Sequence, residues 1–303
     1  SWTGNLVSNA TWRDLWLNEG FTTYFTNRII EAVYGKEMAE LEVVLEYGRL
    51  AQALKTTAIE KQNLTANVQT EDPNKAFDRF TYDKASMFVH DLERRLGRHS
   101  FDKFLLDYVE HFAFKAITTE DFIAYAKQSL LIDHSDKITE QELREWIYGT
   151  AMPKWFVAPT STSLDKVINQ QAKWLAGTST EQLQVEGWSV HHWQYFITTL
   201  PERLTFAQLQ ALDRVFDFTQ STNAEIAFVW YLAAIRNHYD LVLPAVASYL
   251  KVIGRGKFVG PLYQSLQDAG YHEQASAIYH VARAGYHPSI VSMLDSIVNH
   301  SNS

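Results

Sequence analysis

Cysteine is absent from the 303-residue chain, so disulfides and thiolate metal sites are excluded, and any transition-metal site must be built from His and carboxylates. No run of 18 apolar residues occurs, which leaves no candidate for a membrane-spanning helix. Tracts of Lys and Arg are also missing. With 35 acidic against 27 basic residues and a formal charge of -8, nucleic acid and anionic membranes are poor partners, and a small or peptidic ligand is a better one. The chain opens on Ser1-Trp2-Thr3-Gly4 with neither an initiator Met nor a basic leader, and this start reads as a cut inside a longer protein. With no leader and no span legible, the expected location is the cytoplasm. Nucleophile and phosphate motifs are lacking too. There is no G-x-S-x-G elbow, and the "GRGK" at 254–257 has neither the upstream Gly nor the following Ser or Thr of a phosphate loop.

What the chain does have is apolar mass: 46% of its residues are hydrophobic and 14% aromatic, enough for a sizeable core and for two domains. Apolar residues recur at helical spacing from Thr11 onward (Trp12, Leu15, Trp16, then Phe21, Tyr24, Phe25), with Thr11 as a candidate N-cap and Gly35 as the stop. Residues 36–60 and 82–98 continue the pattern, separated by a polar, Pro-bearing stretch from Asn63 to Phe80 that reads as a long loop. "GRHS" at 97–100 reads as a break with a cap, and Thr118 stands three before Asp121 in a capping-box pattern. Gly, Pro, Ser and Thr cluster between Tyr148 and Ser163, which places a linker there and domains at 1–150 and 151–303. Beyond it come short amphipathic helices, such as Leu164-Val167-Ile168 and Phe206-Leu209-Leu212, broken at Pro201, Ser221, Gly254, Gly270 and Gly285. The expected class is all-α; for the second half, an antiparallel helical-pair superhelix and a plain helical bundle fit the pattern equally.

One residue stands out against this background. Glu19 sits inside the apolar, aromatic run "WLNEGFTTYF", where a carboxylate must be paired, capped or coordinating. The stretch around it, "SWTGNLVSNATWRDLWLNEGFTTYF", resembles the segment after the zinc-binding helix in the aminopeptidase N and leukotriene A4 hydrolase family of zinc metallopeptidases. In that family HExxH supplies two His ligands and a base, and a Glu follows 18 residues later as third ligand; here 18 residues precede Glu19. The resemblance therefore implies that Glu19 is a zinc ligand and that HExxH lies just upstream of Ser1. No substitute occurs within the chain, since "HEQAS" at His272 ends in Ser276. The chain alone is thus expected to hold no zinc and to be inactive.

Two further stretches carry the resemblance. "FTYDKASMFVHDLERRLG" (80–97) matches the segment whose tyrosine donates a hydrogen bond to the tetrahedral oxyanion, which implies that role for Tyr82; a phenol is neutral at pH 7 and suits it. "IGRGKFVGPLYQSL" (253–266) matches the leukotriene A4 hydrolase branch, where an Arg and a Lys bind the substrate's terminal carboxylate, implying Arg255 and Lys257. The implied whole is the helical remainder of a thermolysin-like catalytic domain followed by an armadillo- or HEAT-like α-α superhelical domain, in a zinc aminopeptidase acting on short peptides. Departures from the family are Ala85, where Gly is usual, and Thr26, where an acid is common; both are expected to weaken support around the metal. The Asp required for epoxide hydrolysis eight residues before the tyrosine is replaced by Asn74, which disfavours a leukotriene A4 hydrolase-like epoxide hydrolase. A helical scaffold without catalysis is the other alternative. His191-His192 and the "DHSD" at 133–136 are minor candidates as metal ligands, because adjacent histidines face different ways and "DHSD" reads as a polar turn.

Overall fold

The computed structural model describes residues 2–65 and 76–299, so Asn74 lies outside the described residues. The chain divides into two units, Ser1–Thr162 and Ser163–Ser303. In the first, strand β1 (Val7–Asn9) leads to a tight turn at Trp12–Asp14 and then to helices α1 (Trp16–Tyr34), α2 (Lys36–Thr56), α3 (Ala85–Leu96) and α4 (Arg98–Phe112). Strand β2 (Lys115–Ile117), α5 (Thr119–Ala126), the short α6 (Ile132–His134) and α7 (Glu140–Tyr148) complete it. Gly35 and Gly97 end helices at φ +90° and +83°, a region where a Cβ would be strained. The residues after Gly97 do not form a capped break: Arg98, His99 and Ser100 already belong to α4. The loop read across 63–80 is also shorter than expected at its end, because Phe80 opens a helical turn.

Two capping boxes set the geometry near the site. Thr11 donates through both its N–H (3.2 Å) and Oγ1 (2.6 Å) to Asp14 Oδ2. The other carboxylate oxygen of Asp14 accepts from Thr119 N (2.8 Å) and Thr119 Oγ1 (2.7 Å), tying the start of α5 to the approach of α1. Thr118 caps α5 with Asp121, as its spacing predicts. The two three-residue strands pair in parallel with Val7 opposite Lys115. They were not legible as strands, since three residues are too few to show alternation.

The buried face of α1 is aromatic. Trp16 packs on Phe88 and, edge-on, on Phe122, while Phe21 stacks on Tyr108 at 5.5 Å. Trp16 also donates its indole N–H to Thr119 Oγ1 at 3.0 Å, so its polar atom is satisfied inside the core. Helices α1 and α3 meet closely at Gly20, where an added Cβ would lie 2.4 Å from the Cβ of Ala85. The contact has room for one methyl, and Ala85 supplies it. Gly20→Ala is expected to overpack this crossing and destabilise the intact protein by about 1–3 kcal/mol, read from urea or thermal unfolding. An unchanged midpoint would show that the two helices separate freely.

The second unit contains α8 (Thr162–Leu175), α9 (Val190–Thr198), α10 (Phe206–Phe216), α11 (Ala224–Arg236), α12 (Leu243–Val252), α13 (Gly256–Asp268), α14 (His272–Ala282) and α15 (Pro288–Asn299). Alternate helices pack side by side: α9 on α11, α11 on α13, α13 on α15, with α12 on α14 in a second layer. This ladder is an α-α superhelix rather than a bundle around one axis, and each step buries its apolar face on its neighbours. Among the described residues no helix is long and apolar enough to cross a membrane.

Candidate active site

Glu19 lies in the first turn of α1, between buried Leu17 and Gly20, with its own side chain half-buried. Its carboxyl is held above the usual range by burial, an effect that the Tyr82 hydroxyl beside it partly offsets. No cation pairs with it among the described residues. It is a partly desolvated acid without a compensating positive charge, and this is the environment that a bound metal cation would complete. Glu19 therefore fits as one ligand of a zinc ion. Among the described residues no group of three or more His, Asp or Glu side chains assembles as a metal site.

Tyr82 is brought to Glu19 from 63 residues away by a wide π-type turn, Phe80–Lys84, that leads into α3. Burial first, and then the Glu19 carboxylate, push its phenol up to about 12, so it is a hydrogen-bond donor at neutral pH. Its ring lies 6.5 Å from that of Phe77 and lines a cleft of about 580 Å³ together with Ala53, Thr57, Asp78, Arg79 and Phe80. A half-buried carboxylate paired with a protonated phenol that lines a cleft can bind a cation on one side and a developing oxyanion on the other.

The groups behind this pair are buried and polar. Asp83 points inward to Arg79 (3.4 Å) and Arg49 (3.9 Å), which counter part of the rise that burial imposes on its carboxyl. Glu46 accepts from Asn27 Nδ2 at 3.1 and 3.2 Å, and its carboxyl is pushed up to about 8 by burial and then by Asp83. Lys84 has no exposed surface; its Nζ donates to the carbonyls of Gln62 (2.7 Å) and Gly149 (2.8 Å), and burial lowers it to about 7. The two departures from the expected family pattern fall differently. Ala85 is fully buried against Gly20, next to Glu19, whereas Thr26 is exposed and donates to the Thr22 carbonyl at 2.9 Å.

In the second unit Arg255 stands at the N-cap of α13, its carbonyl accepting from Phe258 N and Val259 N, and its exposed side chain makes no hydrogen bond or ion pair among the described residues. Lys257 is engaged instead: it pairs with Glu225 and lies 4.6 Å from the Phe258 ring centre. Of the two cations, Arg255 is the one at liberty to meet an anion. His192 is part of a helix cap. Its Nδ1 accepts the Ser189 N–H at 3.1 Å, so its Nε2 carries the proton and donates to Ser163 Oγ at 2.8 Å. That direction is opposite to the one a base activating Ser163 would need.

Both units match models of known protein families. Residues 1–146 match the peptidase family M1 domain, and residues 188–298 match the C-terminal domain of leukotriene A4 hydrolase. Leucine aminopeptidase 2 of Aspergillus niger is 29% identical over 313 residues, covering 97% of this chain and 49% of the relative. Leukotriene A-4 hydrolase of Xenopus laevis is 30% identical over 276 residues, covering 88% of this chain and 45% of the relative. The native yeast LTA4 hydrolase structure matches with a TM-score of 0.82 at 25% identity, over 98% of this chain and 52% of that one. The chain spans about half the length of the curated relatives it matches.

Proposed function

Because the chain belongs to the M1 peptidase family, in its leukotriene A4 hydrolase branch, we propose that the intact protein is a zinc aminopeptidase that removes N-terminal residues from short peptides. The observation that carries this reading is the side-chain pairing of Glu19 with Tyr82, a residue that also lines the cleft. Glu19 serves as a carboxylate ligand to the metal. When bound, zinc polarises the scissile carbonyl as a Lewis acid. Tyr82 donates a hydrogen bond to the oxygen of that carbonyl as negative charge develops on it. The remaining ligands and the base belong to the HExxH expected upstream of Ser1. Release of the N-terminal residue from an unblocked tripeptide, lost on chelation and restored by zinc, tests the reading; no release by the zinc-loaded intact protein, or equal cleavage of an N-acetylated peptide, would overturn it.

Arg255 is assigned to the far end of the peptide. Its guanidinium is exposed and uncommitted, and a charge-assisted bond to a carboxylate contributes about 1.5–3 kcal/mol. Arg255→Ala is expected to lower kcat/KM for a free-acid tripeptide on the order of ten- to a hundredfold, and far less for the C-terminally amidated peptide. Equal losses on the two substrates would make Arg255 a structural cation. Lys257 contributes less than Arg255, because its charge is already balanced by Glu225.

A further inference from the structure

We infer that Lys84 is a positioning residue of this site: by clasping the Gln62 and Gly149 carbonyls from inside the core, it fixes the turn that holds the Tyr82 hydroxyl in front of Glu19. The inference rests on the peptidase reading above. A lysine with no exposed surface is a costly feature, and among the described residues no carboxylate offsets it and both of its partners are backbone oxygens. Those oxygens are themselves held firmly. The Gln62 side chain donates to Leu54 O (2.9 Å) and Thr57 O (2.8 Å), closing the end of α2, so its carbonyl is fixed to that helix. Gly149 ends α7, and a Cβ there would lie 2.2 Å from Glu145 O. Leu64 N donates to Ile147 O at 2.9 Å and binds the two segments to each other. Lys84 thus reaches a rigid frame from the last residue of the turn that carries Tyr82.

The turn needs such an anchor. Its closing amide, Ala85 N–H, is shared between Phe80 O and Tyr82 O, so regular helical bonding does not by itself define where residues 80–84 sit. Two acceptors match the two N–H groups of a neutral amine, and burial lowers Lys84 to about 7; the clasp therefore survives loss of the proton. A side chain that merely filled the space would not need these donors.

Lys84→Met keeps the length and removes the donors. In the intact enzyme it is expected to lower kcat for a tripeptide by roughly ten- to a hundredfold, as a misplaced catalytic group does. KM should stay within about twofold, and zinc content should equal that of wild type, since Lys84 touches neither metal ligand nor substrate. Adding Lys84→Met to Tyr82→Phe should cost little beyond the loss that Tyr82→Phe causes alone, because one residue acts through the other. Wild-type kcat, a change confined to KM, or fully additive losses would overturn the assignment. Should Lys84→Met fail to fold, Gln62→Ala loosens the same frame from the acceptor side; it should give a smaller kcat loss that is likewise non-additive with Tyr82→Phe, and an unchanged kcat would overturn the assignment. An intact wild type that cleaves no peptide sinks the peptidase reading together with this one, whereas an active wild type with additive losses sinks only the role of Lys84.

Discussion

Tyr82→Phe is expected to lower turnover of the intact protein by about 10²–10³ and to leave substrate affinity and folding close to wild type. The substitution removes one hydroxyl and nothing else. The ring stays to pack beside Phe77 and to line the cleft, so the cleft keeps its shape. The hydroxyl interacts with Glu19 rather than with a partner deep in the core, and its loss leaves no buried acceptor stranded. The effect therefore falls on the step in which charge develops on the carbonyl oxygen. Initial-rate measurements of kcat and KM, with a melting temperature as control, decide the matter; a rise in KM at constant kcat would move Tyr82 from catalysis to ground-state binding.

Glu19→Gln is the second large effect. It keeps the shape and removes the charge, and the intact enzyme should lose zinc by more than the roughly 10–100-fold that loss of an outer-shell partner costs, with activity following metal content. Glu19 makes no ion pair among the described residues, and burial disfavours its charged form. The metal-free protein should consequently melt at the same temperature as metal-free wild type or slightly higher, while added zinc stabilises only wild type. Metal analysis and melting curves with and without zinc read both quantities. Wild-type zinc affinity in Glu19→Gln would remove Glu19 from the ligand set.

Much of this was legible in the residues. Gly35 ends α1 and Thr118 caps α5 where the local pattern puts them, because both signals act over a few residues. Glu19 was conspicuous for a similar reason: a carboxylate in an aromatic helix face is a local contradiction. The pairings across the chain were not legible from periodicity. Glu19 and Tyr82 stand 63 residues apart, and only the resemblance to the metallopeptidases linked them. Nothing local marks Lys84 as buried, since a lysine after an aspartate reads as surface, and its acceptors are backbone atoms that no motif records. The commitment of Lys257 to Glu225, 32 residues upstream, was hidden in the same way. Alternation could not reveal β1 and β2, and the wide turn at Phe80–Lys84 keeps helical spacing closely enough to pass for the first turn of α3.

That wide turn is, in effect, one residue more than a regular helix would hold. Each α-helical residue advances about 100° around the axis, so deleting Asp83, between Tyr82 and Lys84, and so restoring regular winding would swing everything before it by about that angle relative to α3. Tyr82 would then face a different side of the helix, although every side chain downstream remained in place. The direction of the Tyr82 phenol is accordingly written in the length of the chain as well as in the residues that anchor the turn. Point substitutions can remove the hydroxyl or loosen the turn that holds it, whereas an insertion or a deletion turns it by a whole step around the helix.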